Sequence, residues 1–101
     1  MLLFKKEFLP AIRRGEKTQT IRLWKHRRMK AGQRSYIPGV GPIHIVTVEE
    51  VELERLTDAD ALPDGFQTAD ELRREIARLY PDHLSRGYRP YRVVFALGDP
   101  A

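Results

Sequence analysis

The stretch Gly15-Glu16-Lys17-Thr18-Gln19-Thr20-Ile21-Arg22-Leu23-Trp24 decides how the chain is read. Gly15 stands where a helix would end, and beyond it polar and apolar residues alternate with the period of a strand. The alternation predicts that Ile21 and Leu23 share a face packed into a core, with Thr18, Thr20 and Arg22 on the other face and Lys17 at the strand entrance. An ammonium, two hydroxyls and a guanidinium directed at one place suit an anionic or carbonyl-rich ligand. The same pattern also describes an edge strand with a solvated polar face.

Upstream, Phe8, Leu9 and Ile12 recur at helical spacing, and Pro10 fits only a first turn, so a short helix is expected over about Lys6 to Arg14. Met1 to Phe4 reads as a short leading strand. Downstream, Lys25-His-Arg-Arg-Met-Lys30 reads as a basic connection with too little apolar content for core, placed to act as a phosphate-binding flap or as a solvated loop. Arg34 to Pro38 is a second strand, and Pro38-Gly-Val-Gly-Pro42 a hairpin loop. Ile43 to Leu56 is the longest strand; its apolar phase switches midway, which predicts a bulge near Val48 to Glu50. Thr57 reads as a helix N-cap, and Thr68-Ala-Asp-Glu71 as a capping box before a helix with Leu72, Ile76, Leu79 and Tyr80 on its buried stripe. Arg89 to Leu97 closes the chain as a strand.

Strands joined by short connections, with helices not alternating between them, predict an α+β fold: a small, mostly antiparallel β-barrel with helices packed at its ends and side. A chain of 101 residues suits one domain over 1–101. It has no cysteine, which excludes disulfides, thiolate metal sites and thiol nucleophiles. His26, His44 and His83 fall in unrelated segments, so neither a metal site nor a cofactor is expected. No apolar run reaches membrane-spanning length and Met1 to Lys6 is not a signal peptide, which makes the cytoplasm the expected location.

The formal net charge of +4 conceals two opposed blocks. Residues 5–34 hold eleven Lys or Arg against Glu7 and Glu16, whereas residues 49–75 hold ten acids against Arg55, Arg73 and Arg74. A basic lobe points to RNA or a nucleotide as partner. Lys17, Thr18, Thr20, Arg22, Lys25, Arg27 and Arg28 are the candidate ligand contacts, and Trp24 either stacks a base or anchors the rim of the core. The acidic block as a protein-docking surface is the remaining alternative, since such charges ordinarily serve solvation. For chemistry, Lys17 with Thr20 and a carboxylate is the available set: a lysine depressed in pKa by Arg13, Arg14 and Arg22 can deprotonate a threonine hydroxyl.

Several motifs together resemble the ASCH domain family. They are Phe8-Leu9-x-x-Ile12-x-x-Gly15-x-Lys17-Thr18-x-Thr20-Ile21-Arg22, then Lys30-Ala31-Gly32, Glu50-Val51-Glu52 leading to Leu56-Thr57, Asp64-Gly65-Phe66, Glu71-Leu72, Leu79-Tyr80-Pro81, and Tyr91 through Phe95. The resemblance runs nearly end to end and implies a PUA-like barrel with a cleft beside it that binds RNA or nucleotides. One small bacterial branch removes the acetyl group from N4-acetylcytidine with a lysine, a threonine and a glutamate. Lys17 and Thr20 fall on the first two positions, and Asp64 is the nearest carboxylate for the third. Aspartate is one methylene shorter than glutamate, and a misplaced catalytic group can cost about a hundredfold in rate. Some relatives in the family are ribonucleases, a further activity that the basic loop would suit.

Overall fold

The computed structural model describes residues 1–99. A 3₁₀ turn at Lys6–Phe8 runs into helix α1 (Leu9–Arg13), with Pro10 in its first turn as its missing N–H allows. Strands β1 (Gln19–Trp24), β2 (Arg34–Ile37) and β3 (Gly41–Glu50) follow. Then come a 3₁₀ turn at Leu53–Arg55, helix α2 (Asp58–Ala61), a further turn at Leu62–Asp64, helix α3 (Ala69–Leu79), and strand β4 (Arg89–Leu97). The four strands form one antiparallel sheet in the order β1-β4-β3-β2. The fold is therefore α+β with an antiparallel sheet, as the sequence predicts. Among the described residues no ladder joins β1 to β2, so strand pairing leaves the sheet open. Met1 to Phe4 is not a strand, although the Leu2 N–H donates to the Tyr36 carbonyl at 3.0 Å.

The bulge lies at Val46, two residues before the predicted place: Ile45 pairs with Phe95 and Thr47 with Val94. The extra residue lets Ile43, Ile45 and Val48 all point into one core while Val46 faces out. The sequence pattern misplaces it because β3 ends at Glu50; Val51 lies beyond the strand and Leu53 opens the turn that follows, so their phase carries no strand information. The phase has a measurable consequence. Ile45→Ala is expected to cost about 2–5 kcal/mol of unfolding free energy by urea titration, as buried Ile truncations do. Val46→Ala next to it should stay within roughly 0.5 kcal/mol, as exposed positions do. Equal effects would contradict the bulge.

Two cores flank the sheet. The first gathers Leu2, Ile12, Ile37, Ile43, Ile45, Tyr91, Val93 and Phe95. It also takes in Met29, so the basic run 25–30, expected to contribute nothing to the core, supplies one anchor. The second gathers Ile21 and Leu23 of β1 with Leu56, Ala61, Ala69, Leu72 and Ile76 of the helical side. Thr57 caps α2 with a full capping box: its hydroxyl accepts from the Asp60 N–H, and Asp60 Oδ2 accepts from the Thr57 N–H at 2.8 Å. At α3 the Thr68 hydroxyl accepts from the Glu71 N–H at 3.1 Å, but Glu71 reaches back one residue further and takes the Gln67 N–H at 3.2 Å. The predicted box is thus half formed. Leu79, expected on the buried stripe, is largely exposed at the last turn.

Candidate functional site

The site is built around the edge of β1, whose two faces serve different cores. Gln19, Ile21 and Leu23 turn toward the helical side and Thr20 and Arg22 toward the other, as alternation dictates. β1 ends the sheet, so both faces can reach a ligand lying beside that edge. A cavity of about 420 Å³ opens there, lined by Lys17, Thr20, Ile21 and Arg22, by Asp64 and Phe66, by Leu3, Phe4 and Phe8 of the N-terminal segment, and by Glu75 and Tyr80.

Asp64 comes to Lys17 through the Leu62–Asp64 turn, which Gly65 leaves at φ +94°. This left-handed exit is open to glycine at no steric cost. The Thr18 N–H donates to the Pro63 carbonyl at 2.8 Å and its carbonyl accepts from the Phe95 N–H at 3.0 Å, clamping the turn and β4 to the start of β1. Lys17 Nζ then lies 2.7 Å from Asp64 Oδ1 and also donates to the Asp64 carbonyl oxygen. Only 3% of the Lys17 side chain and 4% of that of Asp64 is exposed. Three rings surround the ammonium, with centroids at 5.6 Å (Phe4), 5.0 Å (Phe8) and 5.7 Å (Phe66). Such distances give cation–π stabilisation to a charge that has left water.

Burial pushes the Lys17 ammonium below the ordinary lysine range; the Asp64 carboxylate opposes that shift and Arg22 adds to it. Burial likewise pushes the Asp64 carboxyl up, against the pull of Lys17, Gln19 and Arg22. The two groups are driven toward each other, so that moving the proton from nitrogen to oxygen costs less than it would in water. The depressing influence on Lys17 is burial first and Arg22 second. Arg13 and Arg14, expected to share in it, are engaged elsewhere: Arg13 donates to the Gly39 carbonyl at 2.9 and 2.6 Å, and Arg14 pairs with Glu16 at 2.9 Å on the surface.

Arg22 lies between the cavity and the N-terminal segment. Its Nε donates to Thr20 Oγ1 at 3.0 Å, one Nη donates to the Leu3 carbonyl at 2.5 Å, and its guanidinium stands 4.7 Å from the Phe4 ring centroid. Burial lowers its pKa, though a guanidinium remains charged. No carboxylate pairs with it among the described residues, whereas Lys17 has Asp64, and Glu75 is held by Arg78 at 2.6 Å with Lys5 at 3.8 Å.

The structure therefore gathers Lys17, Thr20, Arg22 and Asp64 at one cavity. Thr18 contributes its backbone and does not line it. Trp24 packs on Tyr91 at 5.4 Å between centroids, the anchoring alternative for this residue. Lys25 lies against the Tyr88 ring at 5.5 Å, Arg27 donates to the Val48 carbonyl at 2.7 Å, and Arg28 is exposed; none of the three lines the cavity. Gln19, Phe4, Phe8, Phe66, Glu75 and Tyr80 also surround the site without being marked for it by the sequence motifs. Gln19 carried a signal, since it shares the parity of Ile21 and Leu23 and is a polar residue on the core side of a strand. The phenylalanines carried none, because a ring lining a cavity and a ring filling a core look alike in sequence. Among the described residues no three His, Cys, Asp or Glu side chains cluster so as to hold a metal, and no helix is long and apolar enough to cross a membrane.

No family model matches the chain, and no curated protein does. Its fold is similar to that of solved structures. The hypothetical protein PH0355 superposes with a TM-score of 0.75 at 17% identity, over 98% of this chain and 95% of that one. Protein EF3133 of Enterococcus faecalis, described under the family model DUF984, gives a TM-score of 0.65 at 19% identity, over 88% of this chain and 68% of that one. At such identities the likeness establishes a shared fold and nothing about chemistry.

Proposed function

We propose that the chain is an ASCH-like domain that binds a nucleoside or nucleotide, free or within RNA, in the cavity around Lys17, Thr20 and Arg22. The observation that carries this reading is the convergence, on one cavity of about 420 Å³, of three phenylalanine rings and a half-buried guanidinium that no carboxylate pairs with among the described residues. That volume lies in the range of small-ligand sites. Phenyl rings offer faces and edges to a base, and Arg22 retains N–H donors beyond the two it uses, available to a carbonyl or phosphate oxygen. The PUA-like barrel belongs to the same proposal. The Leu2–Tyr36 hydrogen bond and the Arg22–Leu3 hydrogen bond set the N-terminal segment between the edges of β2 and β1, which supports closure by that segment rather than by a strand ladder.

Isothermal titration with cytidine, its N4-acetyl derivative and the corresponding 5′-monophosphates tests the proposal. Phe66→Ala is expected to weaken binding about tenfold, the scale of one lost stacking contact. Arg22→Leu should weaken it by a similar factor or more, through a lost bond to a charged donor. Absence of binding by the unmodified protein at low salt would end this reading.

A second reading, hydrolysis of an acylated nucleobase, is favoured by one observation: the buried Lys17–Asp64 pair lines the same cavity as the Thr20 hydroxyl. In the neutral form of the pair, Lys17 takes the Thr20 proton as the oxygen attacks the acyl carbonyl, and Asp64 protonates the departing amine. Water then attacks the acyl-threonine, giving its proton to Asp64 while Lys17 returns one to the threonine oxygen. Both groups end as they began. Asp64, although shorter than the glutamate of the acetylcytidine-hydrolysing branch, contacts Lys17 directly, which supports it in the third role.

A further inference from the structure

We propose that Gln19 is a positioning residue for Asp64, fixing the carboxylate so that one oxygen stays on Lys17 while the other stays hydrogen-bonded to an amide. Gln19 is a polar residue on the face of β1 whose Ile21 and Leu23 enter the helical core, and it is only 4% exposed. A buried primary amide costs free energy unless its donors are used. Both of them are: Nε2 donates to the Asp60 carbonyl at 2.8 Å and to Asp64 Oδ2 at 3.3 Å. The first bond fixes the amide against the end of α2 and the second spends the remaining donor on Asp64. Asp64 Oδ1 faces Lys17. The two oxygens are therefore assigned to different partners, and the carboxylate plane cannot rotate without giving up one bond in a water-poor site.

The assignment matters because a carboxylate one methylene shorter than glutamate has less reach and tolerates less rotation. The charged groups around Asp64 are Lys17 before β1, Arg22 on β1 and Glu75 across the cavity on α3. Among the described residues Gln19 is the one uncharged side chain that hydrogen-bonds to it, so it can orient the carboxylate without competing with Lys17 for the proton. Its role in turnover rests on the hydrolytic reading; its hold on Asp64 does not.

The test is the titration of the Asp64 carboxyl carbon, followed by NMR on protein with carbon-13 aspartate and assigned with Asp64→Asn. Removing the amide in Gln19→Met removes a bond that favours the carboxylate, so the Asp64 midpoint should move up. Gln19→Asn, too short to reach both acceptors, should move it the same way and serves if the methionine variant fails to fold. Asp58→Ala is the control: it removes the 2.8 Å bond from the Ala69 N–H at the start of α3 and loosens the same region without touching Asp64. An upward shift in the Gln19 variants and none in Asp58→Ala supports the proposal. No shift in either Gln19 variant, or the same shift in the control, overturns it. Where the unmodified protein hydrolyses N4-acetylcytidine, Gln19→Met should lower kcat about tenfold and displace the pH profile in the direction of the Asp64 shift. A wild type without activity refutes the hydrolytic reading alone and leaves the titration to decide on Gln19.

Discussion

Lys17→Met is expected to lower the unfolding free energy by roughly 3–5 kcal/mol at neutral pH, the usual result of stranding one member of a buried ion pair. Asp64 would keep the Gln19 amide but lose the ammonium that offsets its burial. For a domain whose whole stability is on the order of 5–15 kcal/mol, this is a large fraction. The loss depends on pH in a defined sense. Burial already raises the Asp64 carboxyl above its ordinary value, and losing Lys17 removes the main influence that opposes this. The folded variant then binds a proton more readily than the unfolded chain. The contribution of Asp64 to its stability is fully present in acid and is lost as pH rises through the raised Asp64 titration. Adding Asp64→Leu should recover most of the lost stability at neutral pH, since replacing a whole buried pair with apolar groups is often neutral or better. Urea midpoints at several pH values measure all of this; a Lys17→Met protein with the wild-type midpoint at neutral pH would show that the pair is solvated.

On the hydrolytic proposal, Thr20→Ala should reduce acyl hydrolysis by about a thousandfold or more, as removal of a nucleophile does, while on the binding proposal it should weaken nucleoside affinity only about fivefold or less through one lost hydrogen bond. Thr20→Ser keeps the hydroxyl within reach of Arg22 Nε and should retain activity within about tenfold. The separation of kcat from Kd is the informative result. Turnover by Thr20→Ala at the wild-type rate would remove Thr20 from the chemistry. Loss of binding and turnover in equal measure would assign it to ligand contact alone. Chromatographic detection of cytidine released from N4-acetylcytidine, beside a Lys17→Ala control, reads the rate.

Much of the fold is legible because its signals are local. Pro10 and Gly15 bracket the first helix, Thr57 and Thr68 mark two helix starts by satisfying otherwise unpaired N–H groups, and the alternation of Ile21 with Leu23 assigns their face correctly. Where local pattern fails, tertiary context has reassigned the residue. Met29 stands in a run of cations yet fills the first core, and Val51 and Leu53 continue an alternation that the backbone has already abandoned. The basic run shows a similar limit for the site: sequence proximity joins Lys25, Arg27 and Arg28 to Arg22, but the chain carries them away from the cavity.

The sequence by itself determined that Lys17, Thr20 and Arg22 stand together on one short strand and its entrance, because strand geometry fixes the spacing of near neighbours. Only the tertiary structure decided that Asp64, forty-seven positions from Lys17, bonds to it, that Gln19 holds the same carboxylate, and that three phenylalanines from distant segments enclose the ammonium. The physical reason is the edge position of β1. Alternation turns Gln19 to the face of Ile21 and Leu23 and Thr20 and Arg22 to the other, while Lys17, before the strand, reaches rings from both sides, and a pattern of period two reads the two faces as opposite. At the end of a sheet the two faces meet around the free edge, and strand order, which brings β4 between β1 and β3, is a long-range property that no local periodicity encodes.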